Sequence, residues 1–214
     1  VFLRLLGAAT LIVVSATSAS GQDRPPAVAQ PCELHVWPAT ENLAVIHYNQ
    51  NVLGNDKPFI RPNGEPTPQP LDRQRQIALL AALDPAALGM PRATIIRHFE
   101  PVDRFQASQP VRHSTSDAAC QGELLVGAFI YESHVYSKRS LRLLVAFRRF
   151  EGTRSEPTWS FSTYASARLV QFPAKRAEDV DAANADLERA YAAALNTFIS
   201  YQQKAASRAG GTHQ

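Results

Sequence analysis

The residues best suited to chemistry are His98 and Glu100. They stand two apart on a predicted strand and so share a face. Asp103, His113 and Asp117 follow in nearby loops. An acid–base or metal-ligating cluster can be drawn from His98, Glu100 and His113, as a small hydrolase or metal-dependent enzyme would use. Tight ligand spacing of the HExxH kind is absent, so scattered surface polar residues describe these side chains more simply. His35, between Leu34 and Val36, reads as a strand residue with a satisfied hydrogen bond. There is no Gly-x-Ser-x-Gly nucleophile elbow and no phosphate-cradling glycine loop. No cofactor and no metal is expected.

A second set of residues points to binding rather than catalysis. Arg142, Arg148 and Arg168 alternate with apolar neighbours, and Tyr164 adds an aromatic. Lys138, Arg139 and Arg149 lie close in sequence. On a sheet with one apolar face these positions project to the other face. Such a surface suits an anionic lipid head group, a glycan phosphate or an acidic protein partner. A slip of one residue in register would invert the assignment.

The chain has two cysteines, Cys32 and Cys120. In an oxidising compartment they pair with each other, there being no other partner. The chain-entropy model gives such a closure roughly 4–5 kcal/mol as an upper figure. The compartment is argued from the first residues. Arg4 is followed by an apolar run, Leu5 to Val14, and then by small residues from Ser15 to Gly21. That order is the order of a secretory signal, too short to persist as an anchor. Cys32 follows Ala29, Gln30 and Pro31, which is not a lipidation context. The mature chain is therefore expected in the periplasm or outside the cell, without a membrane anchor. Its charge, +3 for the whole chain and one less without Arg4, does not call for nucleic acid.

The elements that would position these residues follow from pattern. Of the 214 residues, 45% are hydrophobic and 19% charged, enough for a core. Residues 1–21 read as signal peptide and 22–31 as a Pro- and Ala-rich linker. Residues 32–205 read as one domain, with a Pro-rich loop at 49–70 and a frayed tail at 206–214. Strands are predicted at Glu33–Trp37, Leu43–Tyr48 and Ala93–Phe99, and a helix at Leu71–Leu83 with Asp72 in its first turn. Glu123–Tyr136, a turn at Ser137–Ser140, Leu141–Phe150 and a strand from Trp159 to Leu169 form a meander. Leu141, Leu143, Val145 and Phe147 mark its apolar face. Val180, Ala183, Leu187, Tyr191, Ala194, Phe198 and Ile199 recur at helical spacing, with Asp186, Glu188 and Arg189 elsewhere on the helix surface. The fold class is α+β: a two-layer, mainly antiparallel sheet, a C-terminal three-strand meander, and two helices packed on one face.

The run Cys32-Glu33-Leu34-His35-Val36-Trp37-Pro38, with Cys120 opening a long strand, resembles a group of uncharacterised exported bacterial proteins. The element order also resembles small envelope accessory domains: the N-terminal domain of TolB, the curli-secretion lipoproteins and the auxiliary lipoproteins of envelope lipid transporters. The first resemblance brings no activity with it and the second is one of topology; the function expected is a non-enzymatic accessory module of the envelope that binds a protein or an anionic ligand through the basic sheet face or the Pro-rich loop. The chain departs from many of these families in lacking a lipidation cysteine.

Overall fold

Alternating apolar residues in three long segments make the meander that organises the molecule. The computed structural model describes residues 32–40, 44–50, 56–60, 71–134 and 139–210. The expected signal peptide and linker at 1–31, residues 135–138 of the expected hairpin and the tip of the tail at 211–214 lie outside them. β5 (Cys120–His134) pairs antiparallel with β6 (Arg139–Glu151), and β6 with β7 (Trp159–Leu169). The other edge of β5 is shared by two strands laid end to end. β1 (Glu33–Trp37) runs parallel to its first half, and β2 (Ala44–Gln50) runs parallel to its second half. β4 (Thr94–Arg97) extends the sheet parallel to β1. β3 (Asp56–Ile60) pairs antiparallel with β2. The long ladders are antiparallel, as predicted. The parallel pairings of β1 were not legible, because strand order depends on which distant segments meet.

Two expectations are corrected here. The Pro-rich stretch at 49–70 is not all loop, because Asn49 and Gln50 end β2 and Asp56–Ile60 form β3. Pro58 is tolerated because β3 is an edge strand, where a missing N–H breaks no second ladder. The tail at 206–214 is not all frayed, because α3 (Val180–Gly210) continues through its first residues.

One face of the sheet carries the main core. Leu34, Val36, Leu124, Val126, Leu141, Leu143, Val145 and Phe147 meet the stripe Ala183, Leu187, Tyr191, Ala194 and Phe198 of α3. Full burial of each large apolar side chain stabilises by about 1.5–3 kcal/mol. α1 (Arg73–Ala81) lies on the same face and is tied in through buried Gln76, which accepts from the Ala39 N–H and donates to the Leu71 carbonyl. Asp72 is the N-cap of α1 rather than a first-turn residue, and its carboxylate accepts from the Arg75 N–H at 2.7 Å. A 3₁₀ turn at Pro85–Leu88 then ends at Gly89, whose φ of 74° is the left-handed conformation a C-cap glycine supplies. The predicted disulfide is present, with Cys32 and Cys120 4.7 Å apart at Cα, and it joins β1 to the start of β5.

The opposite face is divided. A third helix, α2 (Arg104–Ser108), sits there, outside the two that were predicted. Asp103 caps it through the Gln106 N–H, and the Gln106 side chain returns to the Asp103 N–H. This capping box is worth about 1 kcal/mol and lets five residues hold a helical turn. α2 approaches β5 at Gly127, beside a bulge. A Cβ there would stand 2.3 Å from the Ala107 Cβ and 3.0 Å from the Asp103 carbonyl. Trp37, Val102, Ala107, Leu125 and Ala146 form a small second core beneath it. The loop 109–119 continues this cover. Arg112 holds it down by donating to the Gly152 carbonyl, the Ser116 carbonyl and Gln121.

Candidate functional site

The even positions of β6 and β7 do project away from α1 and α3, as the alternation required. Their surroundings differ sharply. Arg142 is partly exposed, and its guanidinium lies 4.2 Å from the centre of the Tyr164 ring. Its Nη1 donates to Glu132 at 3.0 Å. Tyr164 is also approached by Arg104 of α2, at 6.0 Å. Both distances lie within the range in which an aromatic face attracts a cation. Arg168 is exposed on the same side of β7, as are Ser160, Ser162 and Ser166. Three of the four predicted ligand-binding residues, Arg142, Tyr164 and Arg168, therefore share one open surface. Arg104 joins them, and only the fold could show this, because its helix arrives from a segment that had read as loop.

Arg148 does not belong to that surface. It is 1% exposed, lying under α2 and the loop. Its guanidinium donates to the carbonyls of Val111 at 2.9 Å and Ala107 at 2.7 Å, and lies 3.8 Å from Glu123. Glu123 accepts the N–H groups of His113 and Ser114. Arg148 had the correct face but the wrong environment. Alternation reports which way a side chain points, not what later covers it.

The histidine set is partly assembled. His98 Nδ1 lies 3.1 Å from Glu100 Oε1, although β4 ends at Arg97 and both residues stand just past the strand on which they were predicted. His113 is turned elsewhere, with its Nε2 3.3 Å from the Gln106 carbonyl and its ring 6.1 Å from that of Trp37. The partner that sequence reasoning missed is His35, whose Nδ1 lies 2.9 Å from His98 Nε2. His35 Nε2 lies 3.0 Å from Glu33. Burial holds the pKa of His35 below the ordinary imidazole value, against the pull of Glu33. The Ser116 hydroxyl holds Glu33 below the usual carboxylate range. Among the described residues no group of three histidine, cysteine or acidic side chains is arranged to hold a metal.

No family model matches the sequence, and no curated protein matches it. Several solved structures are similar. A DUF330 protein from Xanthomonas campestris is 11% identical, with 84% of this chain and 91% of that chain covered and a TM-score of 0.38. A hypothetical protein from Chlamydia trachomatis is 12% identical, with coverage of 81% and 98% and a TM-score of 0.35. Lipoprotein GNA1162 from Neisseria meningitidis is 9% identical, with coverage of 72% and 94% and a TM-score of 0.31. At these scores they decide no activity, and the Cys32–Pro38 motif and the named accessory families find no support in them. Among the described residues no helix is long and apolar enough to cross a membrane.

Proposed function

We propose that the protein is a non-enzymatic accessory module of the bacterial envelope, in the periplasm or secreted, that binds a protein or an anionic envelope ligand. The observation that carries this reading is the open half of the sheet's second face. There the guanidinium groups of Arg142 and Arg104 both approach the Tyr164 ring, and Arg168 and a row of serines are exposed on the same side of β7. Tyrosine and arginine are the side chains that binding surfaces favour, since they bring large contact area with directed hydrogen bonds. A carboxylate or phosphate meeting this surface would find guanidinium groups already positioned by stacking. The disulfide supports an oxidising compartment, because such bonds are rare in the cytosol.

The test is photo-crosslinking in cells from Ser162 and Ser166, read by mass spectrometry. One specific adduct, lost when Arg104 and Arg142 are both replaced by Ser, is the expected result. A protein adduct and a lipid or glycan adduct distinguish the two partner classes. No adduct from a folded and abundant protein overturns the reading.

A further inference from the structure

A hydrogen-bonded chain of side chains joins β1 to the residues just past β4 and to the loop 109–119, apart from the proposed binding face. It runs Ser116, Glu33, His35, His98, Glu100 and Trp37. Donors at its two ends fix the carboxylates of Glu33 and Glu100 as acceptors. Ser116 Oγ accepts the Ala118 N–H and donates its single hydrogen to Glu33. The Trp37 indole nitrogen is a donor only, and it gives its hydrogen to Glu100 Oε1 at 3.3 Å. The Glu100 carboxyl is held below its usual range, first by its own backbone N–H and then by Trp37 and His98. Both carboxylates are thus ionised near neutral pH.

Proton counting then constrains the middle of the chain. Three contacts join the rings to their neighbours and to each other: Glu33 to His35, His35 to His98, and His98 to Glu100. Each needs one N–H. Two neutral imidazoles carry only two N–H groups between them. The chain closes only when the pair holds a third. We propose that His35 and His98 form a one-proton site, and that the proton it takes from solvent fastens β4 and Glu100 to β1.

The surroundings say where the charge sits. His35 is buried, so it stays neutral with its hydrogen on Nε2, toward Glu33. His98 becomes the imidazolium and donates from both nitrogens, to His35 Nδ1 and to Glu100. The Trp37 ring stacks on it at 4.0 Å and 8°, a face that attracts a cation. From β5, Glu123 adds negative charge but is met by Arg148 of β6. Arg73 of α1 donates to the Phe99 carbonyl, and the His113 ring on the loop lies 6.1 Å from that of Trp37. Without the third proton, one contact sets lone pair against lone pair and opens. The third proton is thus what the geometry of the three contacts asks for, while burial of His35 opposes placing the charge on that ring.

The test is a pH titration of the whole chain by long-range proton–nitrogen NMR of the imidazoles. The expected result is three N–H nitrogens on the pair below one shared midpoint, with His35 neutral and His98 charged. Glu100→Gln, at an exposed position, is expected to weaken proton affinity by about tenfold by removing the facing charge. Two independent midpoints, two neutral rings at about pH 6.5, the ordinary imidazole value, or an unmoved midpoint in Glu100→Gln would each overturn the proposal.

Discussion

Arg142 and Arg148 stand on the same strand and the same face of one sheet. The first lies on the surface, stacked on Tyr164 and paired to Glu132. The second lies in the interior, its guanidinium divided between backbone carbonyls and a buried carboxylate. The difference is made by α2 and the loop 109–119, which cover one half of the face and stop short of the other. A sheet face is therefore wet or dry by region, and a charged residue on it has two quite different meanings. In the open region an arginine is available to a partner. In the covered region it organises the cover.

The largest expected effect tests the covered half. Arg148→Ala leaves Glu123 charged, buried and without its ion pair, and is expected to cost about 3–5 kcal/mol in urea unfolding. Replacing the pair together, Arg148→Met with Glu123→Gln, should recover much of that loss. A cost below about 1 kcal/mol for Arg148→Ala would erase the distinction between the two regions.

Asp186 extends the comparison to the other face. It was read as a surface residue of α3, yet it is 6% exposed. One carboxylate oxygen accepts the N–H groups of Val170, Gln171 and Phe172 at the end of β7. Burial alone would raise its pKa, but the Arg189 guanidinium and these N–H groups outweigh burial and hold it lowered. A lowered folded pKa contributes stability above the unfolded value of about 3.9, lost as pH falls through the folded value. Asp186→Asn should cost about 2–3 kcal/mol at neutral pH and flatten this part of the acid unfolding curve. An unchanged acid limb in the variant would assign that dependence to other carboxylates.

The smallest stability effect belongs to the open half. Arg142→Ala removes a partly exposed pair, and is expected to cost no more than about 1 kcal/mol by thermal unfolding. A large loss would mean that Arg142, like Arg148, holds structure, and would weaken its assignment to the binding surface.

Much of the architecture was legible because period alone reports it. Leu141, Leu143, Val145 and Phe147 face α3 as their spacing required, and the stripe from Ala183 to Phe198 meets them. α2 carried its own signal, the Asp103-x-x-Gln106 capping box, but only a short helical run follows it. His35 gave no sign of its role. Its partner His98 is distant in the chain, and their contact exists only because β1 and β4 run parallel in register. Arg104 was hidden for the same reason, since Tyr164 reaches it across the sheet.

Local chemistry determined the meander, the long helix and the side to which each side chain points, because these follow from backbone geometry within a few residues. The available cysteines also left one possible intrachain pairing, which the fold contains. Tertiary structure alone decided which half of the second face is covered, which arginine became a buried anchor, and which two histidines meet. Those outcomes depend on contacts between segments far apart in the chain, where alternation and helical period carry no information.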